Sequence, residues 1–524
     1  ECKNENCAFH ADHYGKCEGK TDGRQLPNQL IANMLDSDSV FEHDPMETSF
    51  NVIIDDVAHE VVRVNSSDMA DVPCPKQYKD TQQSPLKDRW NESMVEEFTS
   101  LVKNRTWIER SRFDKLLKGR KPTKSRWVYT IKYNRDGTIE RFKSRFVVCG
   151  YSQRQGVDYD RAFSATLRST SFRTLLAIAA GQKMRLMQFD VKNAFTQAYM
   201  DDVDMFVEPA EGFETYETIR GKKYSLVYHL QRALYGTKQA SRLWQETLRK
   251  FLLGVGFRQS TSDPCLYHLQ TKSGGRIILG IYVDDIVLAY NGEDTFNNFS
   301  AQFNKRFPDS KSGPLKWFLG MAIDQHADFS IHLDHTLSIE KMAAKYIPDN
   351  HVTREFLSPD LFNKLSKPKD DIERAKAKAF PYASLVGALL YISVMSRPDT
   401  AFHTSMLAKF LSDPSEDGIK AAIQLMQYLH STRNRKMYFS GKVEIPDGLS
   451  AHAEDINRNM GFHAYSDSSW GNAIPYPMFG YGIYLYGSLI RYASKQLKTV
   501  AFSSCEAEYA AGPRVRALLQ RLCN

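Results

Sequence analysis

The sequence predicts an α+β protein of several domains, and three patterns carry that reading. Its 524 residues, 42% apolar and 25% charged, suit three or four ordinary domains rather than a disordered or membrane chain. Segments of helical spacing alternate with segments of strand spacing from Trp90 onward. The most apolar stretch, Ile277 to Tyr290, carries only two carboxylates, Asp284 and Asp285, side by side at its middle.

Residues 1–88 read as an acidic, largely irregular leader, with 8 Lys+Arg against 17 Asp+Glu and only five aromatic residues to build a core. Cys2, Cys7, His10, His13 and Cys17 crowd together there, but their spacing matches no common ligand set, so bound zinc is not expected. Eight cysteines in the whole chain point to a reducing compartment rather than a disulfide scaffold. No run reaches the ~18–20 apolar residues of a membrane span. The start, Glu1-Cys2-Lys3-Asn4, shows no targeting signal and suggests a fragment or a processed piece.

Residues 89–175 reverse the charge, with 20 Lys+Arg against 9 Asp+Glu, so a polyanion is a candidate partner. Trp90, Met94, Val95, Phe98, Leu101 and Val102 recur at helical spacing. Residues 126–132 and 141–148 alternate as strands about an Asp136-Gly137 turn, a basic hairpin carrying Lys132, Arg141, Lys143 and Arg145. A short apolar helix over 171–181, a strand over 187–191 and a helix over 239–256 follow. Helices at 384–396 and 418–432 mark a helical unit spanning about 340–445. Strands at 462–465, 479–485 and 488–492 precede a helix over 504–520. Adjacent carboxylates in an apolar run repel and resist desolvation. Either they sit on an exposed hairpin turn, or a divalent cation relieves both costs.

Tyr282-Val283-Asp284-Asp285 resembles the YVDD signature of reverse transcriptases, and Gln188-Phe189-Asp190-Val191-Lys192-Asn193-Ala194-Phe195 resembles the first palm motif of that family. Leu234-Tyr235-Gly236-Thr237-Lys238-Gln239-Ala240-Ser241-Arg242-Leu243-Trp244 is similar to the LYGLKQAPRxW block of the Ty1/copia class of retrotransposons. Tyr391, Arg397-Pro398-Asp399 and Tyr428-Leu429 also sit where that class has them. The resemblance implies a right-hand polymerase, with fingers and palm over 89–335, a helical thumb or connection over 336–455 and a truncated ribonuclease H-like α/β domain over 456–524. The leader would be a remnant of the segment joining integrase to polymerase.

On this resemblance Asp190, Asp284 and Asp285 hold two Mg²⁺ ions, with Mn²⁺ as a substitute, Asp190 and Asp284 being the direct ligands and Asp285 secondary. Lys132, Lys143 and Arg145 clamp the deoxynucleoside triphosphate or grip template. Phe195 lies beneath the sugar and excludes a 2′-OH, while Gln239 and Lys238 lie near the nascent base pair. Thr237 and Ser241 depart from the usual Leu and Pro. Asp467 and Glu508 match the first two ribonuclease H carboxylates, with Glu506 as second choice. The chain stops at Asn524, before the further carboxylates, so no ribonuclease H activity is expected of it.

The implied partners are an RNA or DNA template with primer and no membrane; no oligomeric state follows. An intracellular setting, in a cytoplasmic particle or the nucleus, goes with the resemblance. The competing expectation is a decayed relic that at most binds nucleic acid.

Overall fold

A computed structural model describes residues 74–117, 119–133, 139–200, 203–347, 352–443, 460–470, 476–497 and 500–523. The Cys/His cluster and the Asp136-Gly137 turn lie outside them. The leader is not irregular to its end: Tyr78–Gln83 forms helix α1, capped by reciprocal bonds between Gln77 and Asp80. Tyr78 and Leu86 pack against the cluster around Trp90, which gives this acidic segment a core to enter.

Helix α2, Lys87–Lys103, buries Trp90, Met94 and Leu101, with Phe98 packed partly buried on the same stripe. Val95 and Val102 belong to the neighbouring face and stay about half exposed, at 52% and 51%. Strand β1, Trp107–Arg110, follows. Strands β2, Ser125–Tyr133, and β3, Ile139–Val148, pair antiparallel, with Lys132 opposite Arg141, Thr130 opposite Lys143 and Val128 opposite Arg145.

Because alternate strand residues share a face, Lys132, Arg141, Lys143 and Arg145 emerge together on one side of the hairpin. Tyr129 and Phe142 take the other side, where they meet the Trp90 ring edge-on at 5.3 and 4.7 Å. Ser93 of α2 fastens β3, accepting from the Ser144 N–H at 2.7 Å and donating to the Phe142 carbonyl at 3.2 Å.

Helix α3, Ser169–Gly181, is apolar and buried, and it packs on the sheet formed next. The elements that follow are β4, Arg185–Val191; β5, Phe206–Val207; β6, Val227–Leu230; α4, Ala240–Gly254; β7, Arg258–Gln259; β8, Leu266–Gln270; β9, Arg276–Tyr282; β10, Asp285–Asn291; α5, Glu293–Arg306; and β11, Ser310–Pro314. Strands β1, β6 and β5 form a small sheet. The larger one is antiparallel, in the order β11-β4-β10-β9-β8-β7. On β4, Phe189 packs within 4.7 Å of Phe303 and 5.8 Å of Phe299 on α5, and its neighbour Asp190 projects to the opposite face.

Beyond the sheet come β12, Trp317–Phe318; β13, Met321–Gln325; and β14, Ile331–Asp334. Helices α6, Thr336–Tyr346; α7, Asp371–Lys378; α8, Tyr382–Met395; α9, Ala401–Ala408; and α10, Glu416–Ser431, precede β15, Met437–Phe439, which pairs back onto β14. The helical stretch is thus bracketed by strands of one sheet. Among the described residues, no single helix is long and apolar enough to cross a membrane.

Strands β16, His463–Ser469; β17, Met478–Leu485; and β18, Ser488–Gln496, form an antiparallel sheet against which α11, Ser504–Cys523, packs. This unit shares a core with α3, the larger sheet and the helical stretch, whereas α2, the β2–β3 hairpin and the small sheet pack around Trp90 in a separate cluster. Arg173 of α3, only 2% exposed, donates to the carbonyls of Ile490 at 2.8 Å and Val394 at 2.6 Å. The Tyr492 ring lies 4.8 Å from the Arg173 guanidinium, and its hydroxyl donates to the Ser393 carbonyl.

Replacing Arg173 by Leu would leave two carbonyls without their charged donor. The expected cost is about 2–4 kcal/mol, read as a lower unfolding midpoint with hydrogen-exchange protection lost first in β18.

Candidate active site

The apolar run becomes the β9–β10 hairpin. Its strands pair from Arg276 opposite Asn291 to Tyr282 opposite Asp285, which leaves Val283 and Asp284 as the turn. Val283 has φ 57°, a region that branched side chains rarely adopt. The Trp244 indole N–H of α4 donates to the Val283 carbonyl at 2.9 Å, so the last residue of the LYGTKQASRLW segment holds this turn.

On the other side β10 pairs with β4, and Asp285 is the direct partner of Asp190. Directly opposed residues place their side chains on one face, so the two carboxylates are neighbours by backbone register. Lys311 of β11 is the partner of Asp190 across the next ladder.

Asp285 keeps an exposed surface yet lies in a crowded recess. That desolvation, with the negative charges of Asp284 and Asp190, pushes its carboxyl up to about 7 against the opposing pull of Lys132. Lys132, on the basic face of the hairpin, is thus close enough to Asp285 to act on its charge. Lys143 is held down to about 8 by burial and by the like charges of Arg145, Lys132 and Arg141. Glu97 of α2 is raised to about 6 by burial, against the charges of Arg145 and Lys143.

Among the described residues no group of three or more His, Cys, Asp and Glu side chains converges as a finished metal cage. The donor chemistry nonetheless suits Mg²⁺, which binds through one or two carboxylates and completes its shell with water and substrate phosphates. Mutual repulsion at Asp285 is the cost that such a cation relieves.

Phe195 sits on a short 3₁₀ turn, Ala194–Gln197, and meets the Tyr235 ring at 5.0 Å. Preceding it, Asn193 adopts φ 52° and donates to the Ser100 hydroxyl of α2 at 2.8 Å. Arg145 lies 5.2 Å from the centre of the same Tyr235 ring. Burial pushes the Tyr235 hydroxyl above its usual range, and Asp284 and Asp190 add to that rise. In the sequence Tyr235 stands out only as part of a motif, and no local pattern marks Glu97.

Gln239 is 1% exposed, and its amide is engaged, accepting from Gln153 Nε2 at 3.0 Å and donating to the Asp158 carbonyl at 3.2 Å. In this arrangement it braces the loop; Lys238 is the exposed neighbour, its Nζ donating to the Tyr159 hydroxyl at 3.3 Å. Thr237 is buried and donates to the Leu234 carbonyl within its own turn. The loop and β3 touch through backbone: a Cβ on Gly150 would lie 2.0 Å from the Gly236 carbonyl oxygen, and one on Gly236 would lie 2.1 Å from that of Val148.

In the C-terminal unit Glu508 of α11 accepts from the Ser468 N–H at 2.8 Å, which brings it beside Asp467 on β16. Glu506 points elsewhere, accepting from the Phe502 N–H at 2.7 Å while its own N–H donates to Ser503 Oγ. Ser503 thus caps α11, and the Glu506 carboxylate reaches back to the residue before the cap.

Residues 109–354 match the family model described as reverse transcriptase (RNA-dependent DNA polymerase). Over 445 residues the chain is 31% identical to the retrovirus-related Pol polyprotein from transposon TNT 1-94 of Nicotiana tabacum, covering 83% of this chain and 31% of that protein. The Pol polyprotein from transposon RE1 of Arabidopsis thaliana is also 31% identical, over 84% of this chain and 28% of its own length. The putative transposon Ty5-1 protein of Saccharomyces cerevisiae is 29% identical over 61% of this chain and 96% of itself. The chain thus spans less than a third of the plant relatives it matches. It belongs to the reverse transcriptase family of Ty1/copia-type retrotransposon Pol polyproteins.

Proposed function

We propose that this chain is an RNA-directed DNA polymerase that adds deoxynucleotides to a primer. One observation carries the reading: strand register sets Asp190 against Asp285, with Asp284 on the adjoining turn and Lys132 of the basic hairpin near enough to Asp285 to act on its charge. Mg²⁺ held by Asp190, Asp284 and Asp285 would supply Lewis acidity toward the attacking and leaving oxygens. The remaining work is positioning and charge neutralisation by the chain itself.

Lys132, Lys143 and Arg145 bind the triphosphate or the template strand, Arg145 being suited to bidentate phosphate contact. Phe195 lies beneath the sugar and rejects a 2′-OH by clash. An RNA or DNA template with its primer is drawn to the basic face by counterion release. The Asp467–Glu508 pair is read as part of a ribonuclease H-like site. An intracellular setting, in a particle or the nucleus, goes with this function.

The first test is Mg²⁺-dependent extension of a DNA primer on an RNA template. Asp284→Asn is expected to lower the rate by roughly 10³-fold or more. Soluble, folded wild-type protein without extension would favour a decayed relic instead. Phe195→Val is expected to raise ribonucleotide incorporation relative to deoxynucleotide by roughly tenfold, measured as the ratio of kcat/KM values; an unchanged ratio removes Phe195 from this role.

The Asp285 carboxyl adds a pH signature. Folded Asp285 keeps a proton that the unfolded chain has released above about pH 4. Metal-free protein should therefore lose stability as pH rises from there through about 7. Asp285→Asn is expected to flatten that part of the profile, read as unfolding midpoints across pH.

A further inference from the structure

We infer that Tyr235 is a positioning residue for sugar selection, holding the Phe195 ring on one side while Arg145 holds the Tyr235 ring on another. This rests on the polymerase reading above and carries it to a residue that does not itself meet the sugar. The contacts form a chain from the basic hairpin to the proposed sugar gate. Arg145 stands 5.2 Å from the centre of the Tyr235 ring, and that ring meets Phe195 at 5.0 Å with its plane inclined by 63°.

The tyrosine has little freedom to drift. Its carbonyl accepts from the Val148 N–H at 2.8 Å, at the end of the strand that carries Arg145. The next residue, Gly236, has φ 86° and rests against the same strand backbone. Phe195 also packs against the main core and against Ala198, Ala233, Ala240 and Leu243, mostly small side chains. Among the described residues Tyr235 is the aromatic ring that meets Phe195, and on this inference it is the wall that limits the tilt of that ring.

A clash-based gate works only while its ring is held to within about an ångström. Removing the wall leaves Phe195 in place and lets it yield to a 2′-OH. The guanidinium face links the two checks: a phosphate drawn to Arg145 pulls on the cation that rests against the tyrosine.

The test measures kcat/KM for one deoxynucleotide and the matching ribonucleotide, using the full chain on one primer–template. Tyr235→Leu is expected to lower the deoxy-to-ribo ratio roughly three- to tenfold. Tyr235→Phe should keep it, since both contacts use the ring rather than the hydroxyl. In a Phe195→Val background, Tyr235→Leu should change the ratio no further. Tyr235→Met preserves apolar bulk and carries the same expectation should the leucine variant fail to fold.

A Leu or Met variant that extends DNA with an unchanged ratio overturns the inference, and so does a Phe variant that loses discrimination. A wild-type chain that extends no primer overturns the polymerase reading itself, and this inference with it.

Discussion

The proposed site depends on the pairing of β4 with β10. Asp190 and Asp285 repel each other, yet they are Cα partners because the ladder between these strands puts them there. The flanking residues Phe189, Ile286, Val287 and Leu288 are buried, each contributing on the order of 1.5–3 kcal/mol. Repulsion between carboxylates in a partly solvated recess is of order a few kcal/mol at most. Apolar burial therefore wins, and the strained Val283 turn is retained by the same excess together with the Trp244 bond. Charge is concentrated where the sheet can bear it.

Much of this is legible in the sequence, where signal and partner lie close together along the chain. Strand alternation alone separates Arg141, Lys143 and Arg145 from Phe142 and Phe146, and the apolar run announces the hairpin around Asp284. The glycines at 150 and 236 are visible too, but not their contact, which joins residues 86 positions apart in the chain. Contacts of that kind are out of reach: Arg145 with Tyr235, Ser93 with Ser144, and Arg173 with Ile490 are set by packing between elements rather than by local pattern. Local pattern also misleads. Val95 and Val102 fit a helical stripe yet lie one step around from the buried face.

Some motif residues serve architecture. Arg397 is buried, paired with Asp399 at 2.7 Å and donating to the Thr432 carbonyl at 3.1 Å, and the Tyr428 hydroxyl donates to the same carboxylate at 2.7 Å. The pairing holds the Asp399 carboxyl below its usual value despite burial. Removing Asp399 would leave the buried Arg397 guanidinium without its carboxylate, which ties the pair to the packing of the helical stretch. Arg173 plays a similar part between α3 and the C-terminal sheet, so that units recognisable separately in the sequence share one interior.

The two-sided hairpin has a consequence for how errors in this chain would be expressed. A slip of one residue in the pairing of β2 with β3 turns every side chain of the shifted strand to the opposite face. Arg141, Lys143 and Arg145 would then be driven toward Trp90 while Phe142 and Phe146 met water. Such a molecule could not persist as a slightly inaccurate version of the native one, because burying three cations without partners exceeds the whole margin of a typical fold. The arrangement that gathers positive charge thus doubles as proofreading of the fold: chains that assemble wrongly here fail outright and are open to degradation, rather than surviving with altered chemistry.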